Sequence, residues 1–464
     1  MIEGDAEPMS EETAGTRTLL GNQRKGVIAL TIPIAVALFF QQLNNIVDSL
    51  WVAGLGGNAM SALGIVYPIY TILIGIGNGL GIGVGAAIAR CIGQNNHADA
   101  NRSAAQGIVI TVVVSLVLTP ILLITAESSM ALMGAGDTVG ECMEYASPIY
   151  VSTFFIILSG VMSGMLRGEG AARRSMAIQV VGALVNIVLD PILIYTFDMG
   201  VAGAAWATVI AFMVSCAIAS YWYLRDREMY VVVRRTDYRP DARICRGILS
   251  VGGPEALELS IMYLFNIFLN YLVIEVGGTD MVGLYSTGWR IANFILIIAQ
   301  AMGGAMVAVC SAEYGMRRFD MIRDAFRYSV VLSIIYTAAF SALLALGSGP
   351  LAAVFTQSSD LQYLGGEMTS MLLFFAMFLP VMSMVYTGSA LLQAIDRASG
   401  AMVNSLLRNI LLTGSFWMAT ATIGTLTSLW WMMAISEIVG GLMMGAHAWL
   451  MLRKVSSEES PVAE

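Results

Sequence analysis

Twelve runs of apolar residues, each more than 20 residues long, dominate this chain, and that length is what a helix needs to cross about 30 Å of hydrocarbon. They span about 27–52, 61–89, 103–126, 141–166, 172–196, 201–224, 246–276, 281–312, 325–346, 366–394, 400–423 and 428–452, and are called segments 1 to 12 below. Helix is the expected form, because each segment must satisfy its own backbone hydrogen bonds in lipid. A membrane β-barrel would show short alternating stretches instead. Charge agrees: only 12% of the 464 residues are charged, against about 25% in soluble domains. The reading is an all-α polytopic membrane protein. The net charge of -8 carries little information, because charge sits in loops and tails.

The placement of charge tests the helix count. Arg17, Arg24 and Lys25 precede segment 1. Arg90 and Arg102 follow segment 2, and Arg167, Arg173 and Arg174 follow segment 4. Arg225, Arg227, Arg234, Arg235, Arg239, Arg243 and Arg246 follow segment 6; Arg317, Arg318, Arg323 and Arg327 follow segment 8. Arg397 follows segment 10, and Arg453 and Lys454 end segment 12. If twelve helices alternate, all of these fall on one side. The opposite connections hold Glu127, Asp137, Asp198, Asp280 and Asp360, with no Lys or Arg. The positive-inside rule then predicts a multi-pass protein of the plasma membrane with both termini cytoplasmic. Trp51, Trp206, Trp430, Trp431, Trp222 and Trp449 fall near segment ends, and are read as lipid-interface anchors.

Other classes lack support. The five cysteines and two histidines (His97, His447) are scattered, so neither disulfides nor a Cys/His metal site is expected. No nucleophile–His pair marks an enzyme, and no cofactor or nucleic-acid partner is expected. Residues 1–20 are polar, unlike a cleavable secretion signal.

The longest connection divides the chain into related halves. Pro33 and Pro254 sit near the start of segments 1 and 7. Gly93, Asp99 and Arg102 recur as Gly315, Asp320 and Arg323, displaced by 221 or 222 residues. Two pseudo-symmetric six-helix bundles follow, of the kind that work by alternating access. The expected organisation is a cytoplasmic tail 1–26, an N-terminal lobe 27–224, a cytoplasmic linker 225–245, a C-terminal lobe 246–452 and a tail 453–464.

Polar residues inside the segments mark function. Gln41, Asn44 and Asp48 share one face of segment 1, and a carboxylate in a membrane helix is costly. In segment 5, Asn186 and Asp190 stand one turn apart, and Pro191 is expected to kink the helix there. Counting from segment ends at about 1.5 Å per residue, Asp48, Asp190 and Thr208 lie at one depth in the outer half of the N-terminal lobe. Such oxygens suit Na⁺, and two close carboxylates suit H⁺ carriage. Segment 2 carries two glycine rows, Gly75/Gly79/Gly83 and Gly77/Gly81/Gly85. They are read as close helix packing and not as a nucleotide loop, which needs a preceding strand. The C-terminal half offers Glu255 and Glu258, with Asn266 and Asn270 on the Glu258 face. Arg290 is placed to pair with Glu258, and Arg408 with Glu437, either as structural pairs or as cavity groups.

These residues resemble the multidrug and toxic compound extrusion (MATE) family over nearly the whole chain. The matching stretches are Ile32-Pro33 with Gln41 through Asp48; Gly93-Gln94 with Arg102; Leu166 through Gly170; Asn186 through Pro191; Gly200 through Thr208; and Ser405 through Arg408. The resemblance implies a V-shaped fold of two six-helix lobes and cation-coupled antiport, by H⁺ or Na⁺, of amphipathic, often cationic compounds. It carries the family's N-lobe cation site onto Asp48, Asn186, Asp190 and Thr208. A monomer follows from family precedent. Met262 stands eight residues after Pro254, where the NorM-type branch has a coupling glutamate, so the chain looks closer to DinF-like prokaryotic branches. The expected function is a cation-coupled drug exporter with Gln41, Asn44, Glu258 and Arg290 lining the substrate cavity and Pro33 and Pro191 as kinks. The alternatives are a flippase of lipid-linked precursors and a non-transporting membrane receptor or scaffold.

Overall fold

A computed structural model describes residues 13–225, 229–357 and 361–459. Arg227, Asp360 and residues 1–12 and 460–464 of the two expected tails lie outside these residues, as does the side chain of Asp137. Every regular element among the described residues is helical.

Most segments are single helices: Gln23–Ala53 (segment 1), Gly57–Gly93 (2), His97–Leu132 (3), Gly200–Arg225 (6), Phe319–Phe355 (9), Gly365–Ala394 (10), Ala398–Thr422 (11) and Leu426–Glu459 (12). Segment 4 is a bent pair, Val139–Val151 and Thr153–Gly168, meeting at 52°. Segments 7 and 8 are the two limbs of Ala242–Gly315, divided at Gly278, whose φ of 78° interrupts the helix. Segment 5, Ala172–Pro191, continues into a π-helical turn, Ile192–Thr196. Pro191 thus marks a change of helical pitch, as expected where a ring removes a donor. Pro33 lies inside a helix that runs on unbroken; the expected kink there is not visible as an interruption.

Left-handed backbone positions recur in both halves. Gly56 pairs with Gly278 and Asn95 with Arg317, each 222 residues apart; Gly170 pairs with Asp396 and Asp198 with Gly424, each 226 apart. The turns between helices are therefore built alike in both lobes. Their contact is reciprocal as well. Gly93 abuts the Ala312 carbonyl, and Gly315 abuts that of Arg90, again a displacement of 222.

Segment 2 is the common wall. Gly77, Gly81 and Gly85 face Ile157, Gly160 and Gly164 of segment 4. Gly75, Gly79 and Gly83 face Leu259, Ala256 and Gly252 of segment 7. A Cβ on Gly79 would come within 2.6 Å of the Ala256 nitrogen, so these helices meet backbone to backbone. On the arginine-rich side, charged bridges tie the two halves of the chain together: Arg24 with Asp324, Arg90 with Asp396 at 3.4 Å, and Arg243 with Asp99 at 3.0 Å. These groups are partly exposed and each contributes little. Among the tryptophans, Trp430 is fully buried and stacks on Tyr285 with ring centroids 5.9 Å apart. It is core, not the interface anchor its position near a segment end implied.

A buried carboxylate anchors the connection between lobes. Glu169, 2% exposed, follows segment 4. Tyr223 donates its hydroxyl to Oε1 at 2.6 Å, and the backbone N–H groups of Tyr230 and Val231 donate to Oε2 at 3.0 and 3.3 Å. Burial pushes the carboxyl up to about 7 against those donors.

Two outcomes follow from this packing. Gly81→Ala should lower the melting temperature of the purified protein, because the added methyl meets the Gly160 carbonyl. Gly64→Ala in the same helix meets nothing and should leave it unchanged or raise it, the gain in stability being up to about 1 kcal/mol; scanning fluorimetry of the pair reads the difference. For Glu169, the folded state keeps a proton that the unfolded chain loses near 4.5. Stability of the docked linker therefore falls as pH rises from about 4.5 to about 7, by up to about 3 kcal/mol. Hydrogen exchange at Tyr230 and Val231, corrected for intrinsic rates, should lose protection across that window in the wild type and stay flat in Glu169→Gln.

Candidate functional site

Segments 1, 5 and 6 bring four polar side chains to one point. Asn186 donates from Nδ2 to Asp190 Oδ1 at 3.1 Å and to Thr208 Oγ1 at 3.4 Å. The Asp48 and Asp190 carboxyls lie side by side within hydrogen-bonding reach. Asp190 is fully buried, Asn186 and Thr208 nearly so, and Asp48 half-buried. The matched depths read from segment lengths thus correspond to real proximity.

Acceptors outnumber donors here. Asp48 Oδ1, Asp190 Oδ2, Asn186 Oδ1 and, one turn below, Asn44 Oδ1 are buried oxygens with no hydrogen-bond partner among the described residues. Orphaned buried acceptors are expensive, and those of Asp48, Asp190 and Asn186 belong to the one cluster. Thr208, Asn186 and two carboxylates are the hard oxygen donors that a proton or an alkali cation takes; no soft ligand is present.

Neighbouring groups complete the enclosure. Tyr70 of segment 2 and Tyr145 of segment 4 sit within electrostatic range of both carboxylates. Tyr195, carried by the π-helical turn, donates its hydroxyl to the Trp51 carbonyl at 2.6 Å and packs edge-on against the Trp51 ring. This joins the end of segment 5 to the end of segment 1 beside the carboxylate pair. None of these tyrosines was singled out from sequence. Only Tyr195 carried a signal, its place just after the Asp190-Pro191 break.

The C-terminal lobe is arranged otherwise. Arg408 Nη1 donates to Glu437 Oε2 at 2.8 Å, with both side chains at least 90% buried, as the sequence pairing anticipated. Glu258 does not pair with Arg290; no such bridge occurs among the described residues. It lies instead beside Glu255, Ser405 and Arg408, with Oε2 unpartnered. Arg290 is exposed and near Tyr67 of segment 2. The two helix rotations therefore turn these groups apart. Glu255 accepts from Gln393 Nε2 at 2.5 Å, so it faces segment 10. Gln41 is exposed and Asn44 half-buried on the same stripe as Asp48; the structure keeps this stripe continuous with the carboxylate pair.

The MatE family model matches residues 33–192 and 254–418, once in each half. The multidrug export protein MepA of Staphylococcus saprophyticus is 23% identical over 448 residues, covering 95% of this chain and 96% of its own. MepA of Staphylococcus aureus is likewise 23% identical, with the same coverage. Among solved structures, a MATE protein in complex with MaL6 superposes with a TM-score of 0.92 at 30% identity, covering 96% of this chain and 100% of its own. A transporter of the MOP superfamily from Pyrococcus furiosus also superposes with a TM-score of 0.92 at 30% identity, covering 96% and 99%. The twelve-helix, two-lobed architecture is the one these structures share, and the chain belongs to the MatE family of multidrug efflux transporters: a multi-pass membrane transporter and not an enzyme.

Proposed function

We propose that this chain is a cation-coupled antiporter that exports amphipathic, often cationic compounds by alternating access, with H⁺ or Na⁺ bound among Asp48, Asn186, Asp190 and Thr208. The observation that carries this reading is the pair of carboxylates lying side by side with unpartnered oxygens around them. Two buried like charges cannot coexist cheaply without a proton or metal ion between them. Loading the cation draws segment 1 toward segment 5; its release leaves the carboxylates to repel each other.

Movement follows from where these groups are attached. Asp48 and the Trp51 carbonyl belong to the outer end of segment 1, whereas Pro33 lies nearer its other end and leaves the Ala29 carbonyl without its helical donor. Cation binding flexes segment 1 about Pro33, shifts the Gln41 and Asn44 stripe, and lowers affinity for the exported compound. Glu258 and Arg290 line the cavity from the opposite lobe. The multidrug export named for the staphylococcal relatives supports a broad substrate range, and the arginine-rich connections support cytoplasmic termini in the plasma membrane. Lobes at 27–224 and 246–452, joined by a linker at 225–245 and flanked by tails, and a monomeric unit complete the reading.

Proteoliposomes loaded with a fluorescent cationic dye test it. Asp48→Asn and Asp190→Asn should each reduce gradient-driven efflux at least tenfold, and unchanged efflux in both variants rejects the proposal. Imposing a Na⁺ gradient at equal pH, then a pH gradient without Na⁺, identifies the ion. If Na⁺ drives transport, Thr208→Ala should raise the Na⁺ concentration for half-maximal efflux about tenfold, since one oxygen ligand is lost. If H⁺ drives it, that variant should leave the pH profile nearly unchanged.

A further inference from the structure

The C-terminal lobe carries a second feature that the cation chemistry does not use. An apolar groove of about 410 Å³ opens between segments 9, 10 and 12, lined by Phe326, Val330, Val331, Met384, Leu442 and Ala446. Val331 is 56% and Leu442 52% exposed, so on a membrane-spanning helix this wall faces lipid. Trp449 closes the end of the groove on the arginine-rich side. The Arg327 guanidinium carbon stands 4.8 Å from the Trp449 ring centroid and that of Arg453 5.2 Å; one guanidinium comes from each of two neighbouring helices. Phe326 stacks on the same ring at 6.4 Å.

Neither guanidinium is in a salt bridge among the described residues. The acidic group nearest to Arg327 in sequence, Asp324, is hydrogen-bonded by Arg24 and Gln23 and meets Arg327 only through longer-range electrostatics. Two exposed cations held over one indole, at the water-facing end of an apolar slot, are complementary to a molecule with an anionic head and a hydrocarbon tail. We propose that this groove is a binding site for an anionic phospholipid of the leaflet on the arginine-rich side, its phosphate between Arg327 and Arg453 and one acyl chain along Val330, Val331 and Leu442. The indole fixes where the guanidiniums point, and the phosphate accepts from both. A neutral or zwitterionic lipid fills the slot but gains less from the arginines. A lipid seated there spans segments 9 and 12 and ties the edge of the C-terminal lobe to its leaflet.

Native mass spectrometry of the full-length detergent-purified protein tests this, with phosphatidylglycerol and phosphatidylcholine of identical chains added separately. The wild type should retain phosphatidylglycerol at least tenfold better than phosphatidylcholine. Arg327→Gln/Arg453→Gln should bring the two lipids level, whereas Arg235→Gln/Arg239→Gln, which removes equal charge from the linker, should preserve the preference. Ala446→Trp, which fills the slot and leaves both arginines in place, should weaken retention of both lipids about tenfold, and it carries the test if the double arginine variant does not purify. Equal retention of the two lipids by the wild type overturns the proposal. So does loss of preference in the linker variant, full retention in Ala446→Trp, or displacement of the lipid by an equal concentration of free glycerol phosphate.

Discussion

Everything in this molecule leans on the absence of side chains along segment 2. Its two glycine rows let one helix approach segment 4 and segment 7 at backbone contact, joining the interior of one lobe to the face of the other. In lipid, where hydrophobic burial offers little driving force between helices, such close approach is a main source of cohesion. The contact is fixed in register as well as distance, because Gly77, Gly79, Gly81, Gly83 and Gly85 each receive backbone atoms of a particular partner and Gly75 receives the Leu259 side chain. Segment 2 therefore works as a rail that locates segment 7 relative to the N-terminal lobe. The reciprocal meeting of Gly93 with Ala312 and Gly315 with Arg90 extends that rail to the arginine-rich side.

The carboxylate layer sits away from the rail, and its two sides are packed differently: residues around Asn44 and Asp48 on segment 1 are only half-buried, while Asn186 and Asp190 on segment 5 are held in packed surroundings. The π-helical turn after Pro191 lets Tyr195 reach the Trp51 carbonyl, so segments 1 and 5 are tied together near the carboxylates.

How much of this was legible in the sequence depends on the kind of measurement each inference needed. Depth along a helix is a count of residues, and counting brought Asp48, Asp190 and Thr208 to one layer. The glycine rows were legible because four-residue spacing defines a face without any partner being known. Arg408 and Glu437 were legible because segments 11 and 12 form a hairpin with a short turn, which forces similar depths into contact. Rotation about a helix axis is not recorded in periodicity when a helix is apolar all round. That is why Glu258 and Arg290 looked like partners and are not, why Trp430 looked like an interface residue and is core, and why Tyr70 and Tyr145 went unnoticed.

The repeat shows where function separated from architecture. With the 226-residue displacement set by Gly170 and Asp396, the positions of Arg408 and Glu437 correspond to Gly182 and Ala211, and these two are themselves neighbours, a Cβ on Gly182 lying 3.4 Å from the Ala211 carbonyl. The same displacement carries Asn186, Asp190 and Thr208 onto Leu412, Phe416 and Ala434, all buried and apolar. One backbone arrangement thus holds a closed ion pair in the C-terminal lobe and an open set of acceptors in the N-terminal lobe. A closed pair satisfies its own charge and braces two helices whatever the ion gradient does. An open set of acceptors is satisfied only by something that arrives from outside. The 222-residue displacement puts Asn270 opposite Asp48, so the C-terminal lobe lacks the second carboxylate as well. The two lobes thus differ where the repeat makes them comparable: one holds polar acceptors, and the other holds apolar side chains there with a self-contained ion pair about one turn away.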